Sequence, residues 1–193
     1  MDTAISIPLP GNAVFETALG FMALAWSEAG LTRLCLPEKS CAAAERRLLR
    51  LTDGAETFGG RVSPDWIVLL VADIRRYAEG ANIDFSAVPI DLAGVDDFRR
   101  DIYAAARRLH HGETTTYGGL AEMAGHKGLY RETGSALGSN PIPLVIPCHR
   151  ILAAGGKIGG FSATGGAAMK ETMLDLEGVR LGPPPSAQAS FGF

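Results

Sequence analysis

The chain has 193 residues, 47% of them hydrophobic, and a formal net charge of −3, which is enough apolar material for one large domain or two small ones. No run approaches the ~18–20 apolar residues needed to span a bilayer, and the N-terminus lacks the basic-then-apolar pattern of a secretory leader, so the expected compartment is the cytoplasm. Three cysteines, an odd count, argue against a disulfide framework, and with no histidine before His110 an N-terminal zinc site lacks its ligands; Cys35 and Cys41 read as small buried or half-buried hydrophobes.

In chain order, residues 13–16, 21–26 and 31–36 are short apolar or alternating runs separated by Leu19-Gly20 and by Gly30, the pattern of a small antiparallel meander. Ser40 predicts the N-cap of a helix through residue 50. Ser63-Pro64 predicts a second helix, with an N-cap followed by proline at the first helical position and an apolar face of Trp66, Leu69, Leu70, Ile74 and Tyr77. The stretch 80–95, rich in Gly, Ala, Asp and Pro, reads as a connector.

The second half changes character. Phe98, Ile102, Ala105, Ala106 and Leu109 repeat at helical spacing, with arginine pairs on the opposite face. Thr116 caps a short helix over 117–124 that Gly125 stops, and a second short helix over 129–137 ends at Gly138. Two short helices joined by a glycine-bearing turn make a helix-turn-helix candidate. An apolar run, 142–146, leads into Pro147-Cys148-His149-Arg150, a glycine-rich loop over 155–166 follows, and Met169, Thr172, Met173 and Leu176 mark the face of a last helix closing at Glu177-Gly178. From residue 181 the tail is Gly, Pro, Ala and Ser with little to bury, and is expected to be disordered. The predicted fold class is α/β (α+β): an N-terminal α/β domain with a short antiparallel sheet over 1–92, and a mainly helical domain with the helix-turn-helix over 93–180.

Charge is unevenly divided. Residues 99–150 hold seven basic residues against four acidic ones, +3, leaving −6 for the rest of the chain; this permits a local phosphate-binding face on an acidic protein. Cys148 is the residue positioned for chemistry. A free thiol with pKa near ~8.5 is mostly protonated at neutral pH and attacks only as thiolate, so it needs a proton acceptor and something to orient that acceptor. His149 is adjacent, and Glu177 lies at a helix end where the chain can return. On these residues alone, an activated nucleophile and a proline-flanked core cysteine both stand.

The whole string Asn140-Pro141-Ile142-Pro143-Leu144-Val145-Ile146-Pro147-Cys148-His149-Arg150-Ile151 resembles the active-site signature of the O6-alkylguanine-DNA alkyltransferases, the methylated-DNA–protein-cysteine methyltransferases. Three further segments match in the same order: Gly112-Glu113-Thr114-Thr115-Thr116-Tyr117 with Leu120-Ala121, the run Arg131 to Asn140 as recognition helix and asparagine hinge, and Lys170-Glu171 with Leu174 to Gly178 as closing helix. A weaker match covers the first hairpin, from Phe15 to Gly20 and from Leu24 to Leu31.

The resemblance implies a relay of Cys148, a bridging water, His149 and Glu177, with the carboxylate orienting the imidazole. It implies that Tyr117 hydrogen-bonds the base and supplies a proton to it, and that Asn140 joins the helix-turn-helix to the thiol. Arg131 would take the place of the flipped base, a role suited to a planar, multiply donating side chain. Thr116, Tyr117, Gly134 and Ser135 would accompany it on the minor groove of duplex DNA, where positional readout is weak. Ile151, Ser162, Phe161 and Lys170 would serve the substrate pocket. The implied activity is stoichiometric transfer of the alkyl group from O6-alkylguanine in double-stranded DNA by a monomer with no cofactor and no metal, the product thioether being stable. Two alternatives differ in class: a lesion sensor that binds without transfer, and a cysteine hydrolase.

Several residues depart from the family pattern. Tyr130 and Glu132 flank Arg131 where small residues are usual, Phe161 stands where a tyrosine is usual, and Tyr103 replaces a common tryptophan. The loop 162–168 is longer than usual, which bears on the size of alkyl group accepted. A glutamate at 132 would weaken phosphate binding unless it pairs with Lys127 or turns away.

Overall fold

The computed structural model describes residues 11–52 and 63–181; the predicted tail, from residue 182, lies outside them. Three strands, β1 (Gly11–Thr17), β2 (Gly20–Trp26) and β3 (Leu31–Glu38), form an antiparallel meander in that order, with Phe15 opposite Met22 and Leu24 opposite Leu34. Met22 through Trp26 are all buried, because the middle strand is covered on both faces. On one face Ala23, Ala25 and Cys35 pack against Ala44 and Leu48 of α1 (Cys41–Leu51); on the other, Met22, Leu24, Trp26 and Leu34 join the main core. Ser40 caps α1 as predicted, accepting from the Ala43 amide.

Helix α2 (Asp65–Ala78) begins one residue later than the Ser63-Pro64 pattern predicts: Pro64 is the N-cap, without a side-chain cap bond. Its buried face is Ile67, Leu70, Ile74 and Tyr77, with Trp66 partly buried, while Leu69 is 66% exposed. The predicted face includes Leu69, which is exposed, and omits Ile67, which is buried, so the covered stripe is turned toward Ile67. The connector after α2 is docked on the sheet edge. Leu31 bridges Ile90, and Gly30, at φ +149°, passes so close to Pro89 that a Cβ would lie 2.7 Å from its carbonyl, so glycine is required there. Arg107 clamps the same segment through the Ser86 and Val88 carbonyls.

Helix α3 (Asp97–Ala106) buries Ile102, Tyr103, Ala105 and Ala106. Strand β4 (Thr115–Thr116) runs into α4 (Tyr117–Met123), and after the turn at Gly125 and Gly128, both at positive φ, comes α5 (Tyr130–Gly138). The helix-turn-helix is therefore formed, and Tyr103 ties it to α3 by donating to the Ala136 carbonyl at 2.8 Å. Strand β5 (Ile151–Leu152) pairs in parallel with β4, and α6 (Gly166–Leu176) closes the fold. In α6, Lys170, Met173 and Leu174 face inward and Thr172 is exposed; the predicted face was rotated, because a lysine takes an inward position. One continuous apolar cluster runs from Phe15 and Trp26 through Ile102 and Leu120 to Ile146 and Met173, so the two halves are packed as layers on a shared core.

Candidate active site

Cys148 opens a short 3-10 turn, residues 148–150, reached by a loop that the backbone strains to make. Leu144 in that loop has φ 76°, an unfavourable region for a branched side chain. Asn140 holds the loop closed: its Oδ1 accepts from the Ile142 amide at 3.0 Å and its Nδ2 donates to the Ile146 carbonyl at 2.8 Å. The Leu34 amide on β3 donates to the Pro141 carbonyl, so the N-terminal sheet braces the same loop.

The thiol is 8% exposed. Burial pushes its pKa up, while the Asn140 side-chain hydrogen bond, the Lys170 ammonium and the amides of Cys148 and His149 pull it down. Asn140 and Lys170 are therefore positioned to favour the thiolate in an otherwise apolar setting. Burial lowers Lys170 to about 8, with Cys148 opposing the shift, and its Nζ donates to the Ile151 carbonyl.

Behind the thiol, Glu177 collects five donors. Oε1 accepts from His149 Nε2 (2.8 Å), Arg150 Nη2 (2.9 Å) and the Tyr77 hydroxyl (3.0 Å); Oε2 accepts from Arg150 Nε (2.8 Å) and the Gly112 amide (3.1 Å). Burial alone would raise the Glu177 pKa, but the bonds from His149 and Arg150 hold the carboxyl well below the usual carboxylate range. A carboxylate there fixes the histidine tautomer: Nε2 carries the proton, and Nδ1 is the nitrogen with a lone pair. Nδ1 is buried and hydrogen-bonds to no described protein group. Burial pushes His149 below its ordinary pKa, with Glu177 opposing, so the ring is a neutral acceptor at neutral pH. The expected consequence is a transfer rate whose acid limb lies below the ordinary histidine pKa of ~6.5, since protonating Nδ1 removes the acceptor. Single-turnover rates between pH 5 and 8 check this, and an inflection above ~6.5 would contradict it.

A cavity of about 330 Å3 opens on Cys148, lined by Tyr117, Gly134, Leu137, Gly138, Gly160, Phe161 and Ser162. Tyr117 lines it, its hydroxyl donating to the Gly160 carbonyl at 3.4 Å and its pKa raised by burial and by the nearby thiol. Among the predicted site residues, Cys148, Tyr117, Gly134, Phe161 and Ser162 thus share one cavity; Asn140 lines an adjoining cavity that also reaches Cys148, and His149 and Glu177 line neither. Ile151 and Lys170 stand outside this lining, paired with each other, with the ammonium 5.9 Å from the Tyr117 ring centroid. Thr116 caps α4, accepting from the Gly119 amide. Arg131 and Ser135 are exposed on α5, and the Arg131 guanidinium lies 5.8 Å from the Tyr130 ring centroid. Lys127 pairs with Glu122 at 3.1 Å rather than with Glu132.

Sequence reasoning missed Arg150 and Tyr77. Arg150 belongs to the basic 99–150 segment read as permitting a phosphate-binding face, yet it is 5% exposed; its place beside Cys148-His149 in the motif is the available signal. Tyr77 carried no signal, since its partner is 100 positions away. Cys35 is buried as expected, its pKa raised to about 11 chiefly by burial. Cys41 is exposed at the start of α1, contrary to expectation, because α1 turns Ala44 and Leu48 to the sheet instead. No cluster of metal-binding side chains occurs among the described residues.

The family model for the DNA-binding domain of 6-O-methylguanine DNA methyltransferase matches residues 97–179. The methylated-DNA–protein-cysteine methyltransferases of Methanothermobacter thermautotrophicus and Sulfolobus acidocaldarius are 34% and 33% identical to the chain, covering 68% and 87% of it and 73% and 93% of their own lengths. Mycobacterium tuberculosis OGT, solved in complex with DNA, matches with a TM-score of 0.65 and 28% identity, covering 86% of this chain and 91% of that one.

Proposed function

The chain belongs to the methylated-DNA–protein-cysteine methyltransferase family, and from that premise we propose that it repairs DNA by taking the alkyl group of O6-alkylguanine onto Cys148, irreversibly and once per molecule. The observation that carries this reading is the single cavity joining Cys148 to Tyr117, backed by the buried His149–Glu177–Arg150 chain.

His149 Nδ1 takes the thiol proton through the bridging water that the family resemblance implies, and Glu177 stabilises the charged ring that results. Asn140 and Lys170 favour the thiolate. The sulfur attacks the alkyl carbon in line; the S–C bond forms, the C–O6 bond breaks, and the electron pair leaves with guanine. Tyr117, kept protonated by its raised pKa, donates to the departing base. The thioether has no good leaving group, so the protein is spent.

The target base must leave the stack, at a cost of a few kcal/mol. Arg131, exposed on the recognition helix α5, fills the vacated place, while the small Gly134 and Ser135 allow α5 to approach the minor groove. Arg131→Ala is expected to slow transfer from methylated duplex DNA at least about tenfold more than transfer from free O6-benzylguanine. Equal losses on the two substrates would refute a role in flipping.

No helix among the described residues is long and apolar enough to cross a membrane, and the three free thiols suit a reducing compartment, so we assign the protein to the cytoplasm. Intact-mass measurement after incubation with methylated duplex DNA tests the activity: a gain of one methyl at Cys148, absent in Cys148→Ala, is expected. A hydrolase would turn over beyond one equivalent, and folded wild-type protein that gains no methyl would leave only a binding role.

A further inference from the structure

Two cavities meet at Cys148. The first holds Tyr117 and faces the recognition helix. The second, of about 320 Å3, shares Leu137, Gly138, Phe161 and Ser162 with it but runs the other way, past Pro143 to β3 and α1, ending at Arg33, Leu36, Arg47 and Leu51. The chamber shares the end of α5 and Asn140 with the site described above, while Tyr117, Arg131, His149 and Glu177 do not line it.

Its far end is cationic and built. Arg33 is held by two backbone carbonyls, Nε donating to Leu51 and Nη1 to Thr32, both at 3.1 Å, which fixes the guanidinium plane. Arg47 is 3.6 Å from Glu38, the two side chains being 30% and 14% exposed. Glu38 also accepts from the Thr164 hydroxyl, so the long loop after Phe161 is tied to the chamber wall. The two arginines are the only charged side chains in the lining among the described residues; Glu38 offsets one of them, and the chamber keeps a positive excess. The same lining also carries the apolar side chains Leu36, Leu137, Pro143 and Phe161.

We propose that this chamber receives the distal part of alkyl groups larger than methyl and selects those ending in a carboxylate. The inference rests on the alkyl-transfer reading above. The reacting carbon stays at the sulfur, the apolar stem lies along Pro143 and Leu137, and the terminal carboxylate meets Arg33 and Arg47, whose guanidinium forks match its geometry. The reaction balances as for methyl: the Cys148 S–C bond forms, the C–O6 bond breaks, the thiol proton leaves through His149, and guanine departs with a proton gained. The carboxylate is carried unchanged onto the protein.

The test compares single-turnover alkylation of wild-type protein by O6-(4-carboxybenzyl)guanine and O6-(4-aminomethylbenzyl)guanine, free bases alike in size and opposite in charge. The carboxylate is expected to react faster by roughly tenfold at low salt, with the ratio shrinking as salt is added. Arg47→Gln and Arg33→Gln should each reduce the ratio within the same variant, which needs no comparison of absolute rates. A wild-type ratio of one, or a preference for the amine, overturns the proposal, as does a ratio that survives both substitutions. Methylated duplex DNA is run beside them: failure of that substrate too would overturn the transfer reading itself, whereas normal methyl transfer with no charge preference overturns only the chamber.

Discussion

Replacing Glu177 with Gln is expected to slow alkyl transfer by roughly a hundred- to ten-thousandfold, the range over which positioned acid–base groups act. The substitution keeps the shape of the side chain and removes its charge. Glutamine can present its NH2 to His149 Nε2, which would then need to be the acceptor, moving the ring proton to Nδ1 and disabling the nitrogen proposed to take the thiol proton. The imidazolium formed when the thiol is deprotonated would also lose its counter-charge. Single-turnover transfer from methylated duplex DNA measures the effect, with melting temperature as the control for folding. A folded variant slowed less than about tenfold would show that Glu177 does not set the state of His149.

The second large effect concerns stability. Arg150→Met should cost about 3–5 kcal/mol, because it strands a buried carboxylate whose other close partners, His149 and Tyr77, are neutral. Arg150 Nη1 also donates to the Leu109 carbonyl at 2.6 Å, so that acceptor loses its donor as well. Urea unfolding monitored by tryptophan fluorescence gives the difference. The double variant Arg150→Met with Glu177→Leu should recover part of the loss, since an apolar pair of similar volume removes the buried charge along with its partner, and it should remain inactive. A single-variant loss below about 1 kcal/mol would mean that the carboxylate finds another cation or is protonated.

Glu177 thus serves two ends at once. The bidentate Arg150 fork makes a buried carboxylate tolerable, and the carboxylate in turn makes a buried histidine a directed acceptor. Tyr77 brings the N-terminal half into this arrangement, and the Leu34 amide does the same for the loop that precedes the thiol. The N-terminal sheet is therefore part of the active-site scaffold.

Much of this was legible in the chain. Alternation and turn residues located all three strands of the meander, because a hairpin's register follows from local turn chemistry and side-chain period. Caps at Ser40 and Thr116, and the glycine stop at Gly125, were read correctly because capping is a local hydrogen-bond demand, whereas the expected stop at Gly138 lies inside α5 and Ser139 is its C-cap. The order of Tyr117, Arg131, Asn140, Cys148, His149 and Glu177 carried the family resemblance, from which the proposed roles in transfer and in handling DNA follow.

Burial direction was less legible. Leu69 and Thr172 fit helical periodicity yet face outward, while Lys170 and Arg150 are charged yet face inward. Period says which residues share a face; only the neighbouring element says which face is covered and whether a charge there finds a partner.

By itself, then, the sequence determined the local elements and the family resemblance that nominates Cys148 and His149, because these rest on residues close together in the chain and on the order of its motifs. Tertiary structure alone decided that Arg150 is the buried counter-ion, that Tyr77 reaches Glu177 across the fold, and that Arg33 and Arg47 stand at the end of a second chamber from Cys148. Those pairings join positions far apart in the chain, and the cost of burying each charge or hydroxyl is met only by the partner that packing brings to it.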